Sequence, residues 1–450
     1  MNHLGFLCDA EKIAIVSNPA ANEFQVEDLA INDSSTIAGR ETFRAVYTGS
    51  VEQRQTDMGV YGICDFSRLQ KPGIYRLSMP GHEDVLSYQF VIADGVFHAL
   101  PPAFSNFLCE LRSGSHSSYL RQATHLDDAV RSDNGEQIDG VGGWYDAGDS
   151  RKWMSHSTLA AWGLQAMASQ LPGTAQGRRD RERMVAEIPW GLGIIPKLQD
   201  PINGMIYEDI GSGGKGRLTP GMEWWYENHA GCCVDNTENR FTDNLPGSGD
   251  ERRVRIQYNP ITQYTSITTL SRGVQAEPSS EQQDRWRKCA ERIWQFINMR
   301  TEDDFHTWSS VKAWRLLAAI HSHETDIPGA PDPGDSLQSL QRNFDDTLGY
   351  WRFSDNSNEP HRGIIHAAQP IIALGEFLRV FPSHALAQDV RRLLLDVLER
   401  YVLPLTATNP YGFMPYGCYQ PESKTEGDHY RSLSNGLFYR FCMPVHTHNR

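Results

Sequence analysis

Two aspartates three residues apart, Asp146 and Asp149, stand in the string GGWYDAGD at positions 142–149. A carboxylate pair so spaced can hold a water molecule and take a proton from it, provided one acid stays ionised in a sheltered pocket. The glycines around the pair let the backbone turn tightly and approach a ligand closely. Trp144 and Tyr145, just before it, can exclude solvent or stack on a ring of the ligand. A polar turn is the plain alternative for any such string, so the rest of the chain must supply the context.

At 450 residues the chain is long enough for two domains, and 39% hydrophobic with 22% charged residues is ordinary for a globular enzyme. A net charge of −14 excludes nucleic acid as a partner and speaks against docking on an anionic membrane. No apolar run approaches the roughly 18 residues needed to span a bilayer. The start, MNHLGFLCDAEKIAIV, lacks a basic stretch followed by an apolar one, which points to a cytoplasmic protein. Cys8, Cys64, Cys109, Cys232, Cys233, Cys289, Cys418 and Cys442 show no CxxC pair and no zinc spacing, and read as reduced thiols.

Two textures follow one another along the chain. Residues 1–100 hold short β-branched or aromatic runs (KIAIVS, FQVEDLAI, TFRAVYTG, GIYRLSM, SYQFVIA) between Gly, Pro, Asn and Asp clusters, the pattern of a small β-sandwich. Beyond residue 104 the spacing is helical, near 105–119, 155–170, 178–199, 261–275, 280–300, 307–322, 335–349, 363–380, 384–403 and 430–442. No strand is predicted to alternate with these helices, so two separate cores are expected. One long connection, 203–260, carries Trp224-Trp225-Tyr226 and His229; connections of that length are usually functional or disordered, and the tryptophans speak against pure disorder.

In this helical setting the string GGWYDAGD resembles the aspartate motif of glycoside hydrolase family 9. Residues 1–100, with NHLGF at 2–6, resemble the immunoglobulin-like module many members carry. The resemblance implies an immunoglobulin-like β-sandwich over 1–100 and a six-hairpin (α/α) barrel over 104–450. It also implies Asp149 as the base, Asp146 as a partner holding the water, and inverting hydrolysis of β-1,4-linked glucans or related glycans. Cellodextrins and chitosan oligomers are the candidate substrates.

Inversion needs a second, protonated carboxyl about 6.5–9.5 Å from the base. In the family this is a glutamate near the C-terminal end of the barrel, and no matching motif precedes the terminal FCMPVHTHNR. The predicted helices also fall short of the twelve that six hairpins contain. The expectation is that residues beyond 450 complete the barrel and bring the acid. Glu422 and Glu426 read as solvated loop charges.

The candidate sugar-binding residues are Tyr145, Trp144, Trp225 and His229. His361, Arg362 and His366 read as cap or core residues, and His446 and His448 as a loose terminus. Asp127, Asp128, Asp133 and Asp139, in the acidic loop 125–140, offer the oxygen ligands calcium prefers, without the spacing of an EF-hand. No other metal or cofactor is expected. Two rival readings are a glycan-binding protein without turnover, and a lyase using a Tyr/His or Arg pair instead of carboxylates.

Overall fold

The computed structural model describes residues 4–30, 42–56, 58–115, 122–146, 150–211, 242–276, 279–300, 304–362, 366–415, 417–419, 431–432 and 438–440. Asp149, Trp225, His229, Cys232, Cys233, Glu422, Glu426, His446 and His448 lie outside them. Two compact units emerge: Met1–Pro101 with Tyr401–Pro415, and Pro102–Arg400 with Tyr416–Arg450. Tyr401–Pro415 thus counts with the first unit, where Tyr411 meets Tyr61 edge-on at 6.1 Å.

The first unit is built from β1 (Ile13–Ser17), β2 (Glu23–Ala30), β3 (Thr42–Thr56), β4 (Gly59–Asp65), β5 (Gly73–Met79), β6 (His82–Leu86) and β7 (Phe90–Ile92). Strand β3 is long because it serves both halves of the sandwich. Its first part pairs antiparallel with β2, and Val51–Thr56 pair antiparallel with β4. Phe24, Val26, Val51, Cys64, Tyr75, Leu77 and Phe90 alternate inward from these strands, and Phe6 closes the core by an edge contact with Phe66 at 5.3 Å. The sequence missed β4 and β6. Gly59, Gly62 and Cys64 in the one, and His82, Glu83 and Asp84 in the other, are poor strand formers that the neighbouring strands hold in register.

The second unit is mainly helical. Its elements are α1 (Leu100–Glu110), α2 (Met154–Gln170), α3 (Ala175–Gly193), α4 (Pro260–Ala276), α5 (Ser280–Asn298), α6 (Ser309–Glu324), α7 (Pro333–Gln341), α8 (Gln369–Val380) and α9 (Ala387–Val397). Helices α2, α4, α6 and α8 lie side by side in that order, and each is backed by the helix that follows it. Helix α5 shows why the outer members look amphipathic. It buries Trp286, Cys289, Ala290, Ile293, Trp294 and Ile297 on one face. Helix α4 is buried nearly all round although Thr and Ser crowd it. Its hydroxyls donate to carbonyls of the preceding turn (Thr268 to Tyr264, Thr269 to Thr265, Ser271 to Ile267), and Thr158 of α2 reaches Thr265 at 2.8 Å. Small side chains let the inner helices approach. Among the described residues no helix is long and apolar enough to cross a membrane.

Two predicted helices are corrected. The 335–349 pattern stops at Gln341, because the Asp345 carboxylate captures the backbone N–H groups of Thr347 and Leu348. A two-strand turn results, β12 (Phe344–Asp345) on β13 (Tyr350–Trp351). The 430–442 pattern contains strand segments Arg431–Ser432 and Phe438–Arg440, the latter also paired with Gly417–Tyr419 around buried Tyr439. Strands do intervene among the helices, contrary to expectation. The most consequential form a four-stranded sheet ordered β8 (Val130–Arg131), β11 (Arg253–Arg255), β10 (Asp209–Gly211), β9 (Lys152–Trp153).

Candidate active site

The loop carrying Asp146 is fastened on both flanks. On the N-terminal flank, Gly143–Tyr145 run alongside Leu111–Ser113 at the end of α1. Ser113 N donates to Gly143 O (2.9 Å) and Tyr145 N to Leu111 O (2.8 Å). Gly143 has φ +71°, a conformation that side-chain-bearing residues rarely adopt, and its α-carbon faces Ile194 closely. On the C-terminal flank, Lys152 and Trp153 form β9 against β10. Between the flanks, Asp146 N donates to Arg151 O at 2.7 Å, which closes the loop.

Trp144 and Tyr145 are each only 2% exposed, so neither ring offers a face to a sugar. Their reading as stacking surfaces is corrected to packing. Trp144 packs against Gly191 of α3, where a Cβ would come 2.0 Å from the indole, and its Nε1 donates to Glu187 Oε1 at 2.8 Å. Arg112 and the Cys109 thiol bind the same carboxylate. Tyr145 places its hydroxyl 2.7 Å from His125 Nδ1 and 2.8 Å from Thr124 Oγ1. Burial pushes the Tyr145 phenol up, so it stays neutral.

The C-terminal flank is ionic. Arg151 binds Asp209 (2.6 Å), which Arg255 also reaches (3.1 Å), while Arg255 and Asn259 hold Glu208. Lys152 binds Asp128 at 2.5 Å and also donates to Gly140 O (2.7 Å) and to Ser113 Oγ (3.0 Å). One ammonium thereby joins the two flanks. Arg252 grips Asp128 with two N–H groups and binds the carbonyl of Ser150, a non-glycine residue at φ +61°. Burial pushes the Asp128 carboxyl up, but the charges of Arg252 and Lys152 outweigh it and hold it well below the usual carboxylate range. Burial likewise pushes the Lys152 ammonium down to about 8 against the pull of Asp128.

These pairings matter because Arg151 and Lys152, the cations nearest in sequence to the aspartate string, are bound by other acids. Asp146 is not neutralised by them. Its carboxylate is partly exposed (26% of the side chain), and its Oδ1 lies 2.9 Å from His156 Nδ1 near the start of α2. An ionised carboxylate only accepts, so Nδ1 carries the proton. Sequence reasoning missed His156; its signal was its place on the first turn of the helix that the loop enters.

Of the four acids in the loop 125–140, Asp128 is bound by Arg252 and Lys152, Asp133 by Arg131 and Asp139 by Lys197; among the described residues Asp127 forms no ion pair. Buried His361 and His366 belong to the core, as read. The Trp314 indole N–H donates to His366 Nδ1 (3.1 Å), and burial pushes the two imidazoles down, to about 4 and about 3 respectively.

Residues 105–325 match the sequence profile of glycosyl hydrolase family 9, and residues 1–84 that of the cellulase N-terminal ig-like domain. The chain is 28% identical over 231 residues to a cellodextrinase of Butyrivibrio fibrisolvens, covering 47% of this chain and 39% of that protein. It is 24% identical over 233 residues to a xyloglucan-specific endo-beta-1,4-glucanase of Bacteroides ovatus, covering 47% and 38%. The chain therefore spans about two fifths of the length of these relatives. Its structure is similar to that of a metagenome-derived glycoside hydrolase family 9 endoglucanase, with a TM-score of 0.63 at 16% identity, over 91% of this chain and 73% of that one. An immunoglobulin-like sandwich followed by an (α/α)-barrel domain is thus the architecture, and the chain belongs to glycosyl hydrolase family 9.

Proposed function

We propose that the protein is an inverting glycoside hydrolase acting on β-1,4-linked oligosaccharides. Cellodextrins are the first candidate substrates and chitosan oligomers the second. The observation that carries the reading is family membership joined to a loop in which Asp146 meets no arginine or lysine among the described residues. Cellodextrins come first because a cellodextrinase is among the relatives.

In this reading Asp149 takes a proton from water as the oxygen attacks the anomeric carbon. Asp146 orients that water through the carboxylate oxygen left over from His156. A protonated carboxyl on the other side of the scissile bond gives its proton to the leaving oxygen. The buried ion pairs on the C-terminal flank hold the loop still, so the geometry is set before the sugar arrives.

The test is hydrolysis of cello- and chito-oligosaccharides, with proton NMR of the first-formed anomer. Asp149→Asn should lower turnover by roughly 1000-fold while ligand binding and melting temperature persist. Undiminished turnover in that variant, or retention of configuration, would overturn the proposal. Binding of sugar by the unaltered protein without release of product would favour the glycan-binding reading instead.

A further inference from the structure

The C-terminal half of α2, the middle of α3 and the last turns of α4 border a cavity of about 440 Å³, within the size range of small-molecule sites. Arg181 and Arg272 stand in its wall with the amides of Gln165 and Gln275, beside aliphatic Val185 and Ile188. Among the described residues that line it there is no acid. The cavity lies apart from the aspartate loop. From His156 to Gln165 the α2 axis runs about 14 Å, at 1.5 Å per residue.

The two arginines are not spent on each other's neighbours. Arg272 is half-buried, yet among the described residues it makes no hydrogen bond, and its ion pair with Glu376 of α8 is loose at 3.9 Å. Glu376 is drawn instead to Arg379, at 2.8 Å. Burial pulls the Arg272 guanidinium down from its ordinary value, against the charges of Glu376 and Glu324. A guanidinium stays charged even so, and its lost water is a cost until acceptors come to it. Arg181 is fixed from behind. Its Nε donates to Ala168 O (3.0 Å) and its Nη2 to Leu171 O (2.6 Å), which leaves Nη1 over. Gln165, only 5% exposed, donates through Nε2 to Thr269 O at 3.1 Å, while its buried Oε1 meets no donor among the described residues.

We infer that this cavity binds a small phosphate monoester bearing hydroxyl groups, of the sugar phosphate class. The fork of Arg272 and the remaining Nη1 of Arg181 offer donors from two helices. A phosphate, with three acceptor oxygens, can use both, whereas one fork alone satisfies a carboxylate. A ligand hydroxyl supplies the donor that Gln165 Oε1 lacks, and Val185 and Ile188 give its C–H groups an apolar wall. Bound there, the ligand ties α2, α3 and α4 together and stabilises the helical domain by mass action.

The experiment titrates the whole chain by calorimetry with glucose 6-phosphate and, separately, with inorganic phosphate, with a thermal melt alongside each. Glucose 6-phosphate should bind and raise the melting temperature, and inorganic phosphate should bind at least about tenfold more weakly. Arg272→Gln should weaken binding of the ester about tenfold or more. Gln275→Glu, which sets an acid on the exposed rim, should weaken it too while the protein melts as before without ligand. Arg285→Gln removes the same charge from an exposed position outside the cavity and should bind as the unaltered protein does. No binding of glucose 6-phosphate, equal binding of inorganic phosphate, or undiminished binding in Arg272→Gln or Gln275→Glu overturns the site.

Discussion

The two flanks of the aspartate loop are held by opposite kinds of force. The N-terminal flank is aromatic: Trp144 seated on Gly191, and Tyr145 capped by His125 and Thr124. The C-terminal flank is ionic, with Arg151, Lys152, Arg252 and Arg255 distributed over Asp128, Glu208 and Asp209. Packing is indifferent to pH and tolerates small movement. A desolvated ion network is stiff but fails abruptly when one member is lost, because its partners stay buried and uncompensated. Under the proposed function, a loop that presents a carboxylate at fixed geometry gains from stiffness on the flank nearer in sequence to Asp149.

That contrast predicts where the site breaks. Asp128→Ala strands both Arg252 and Lys152 in the interior and should cost about 3–5 kcal/mol, read from urea unfolding. The same acid ties stability to pH. Its folded pKa lies below its unfolded one, so the unfolded chain takes up the proton first as pH falls. The stabilisation is fully present above the unfolded carboxylate pKa of about 4 and drains away below it. Asp128→Asn should flatten that acid limb, and an unchanged limb would count against the network.

On the aromatic flank, Gly191→Ala drives a methyl into the Trp144 ring and should cost about 1–3 kcal/mol, with no change in the acid limb. A neutral outcome would mean that the indole is free to move. The smallest effect on stability belongs to His156, which is partly exposed. His156→Ala should shift unfolding by no more than about 0.5 kcal/mol yet lower kcat between about 10- and 100-fold at similar KM. His156→Asn, which keeps a donor for Asp146, should recover part of the loss. Equal kcat in all three proteins would remove His156 from the site.

Much of the architecture was legible early. The period-2 runs of residues 13–92 and the one-sided pattern of α5 each reflect which face is buried, and burial of a face is a local property of the chain. The aspartate string was legible because glycines and aromatics bracket it. His156, Asp209 and Arg252 were not, because their partners lie 10, 58 and 102–124 residues away along the chain. No spacing rule spans such separations. The strands that gather them are two or three residues long, too short to carry a period of their own.

By itself, the order of residues determined a sandwich, a helical domain and a pair of acids at the head of a helix, since hydrophobic period and glycine placement act over a few neighbours. Only the tertiary structure decided which charges meet. It put Trp144 and Tyr145 inside, gave Arg151 to Asp209 and Lys152 to Asp128, and left Asp146 with a histidine. The physical reason is that burial strengthens a charge contact and penalises a missing one, and burial of a loop is a property of everything packed around it.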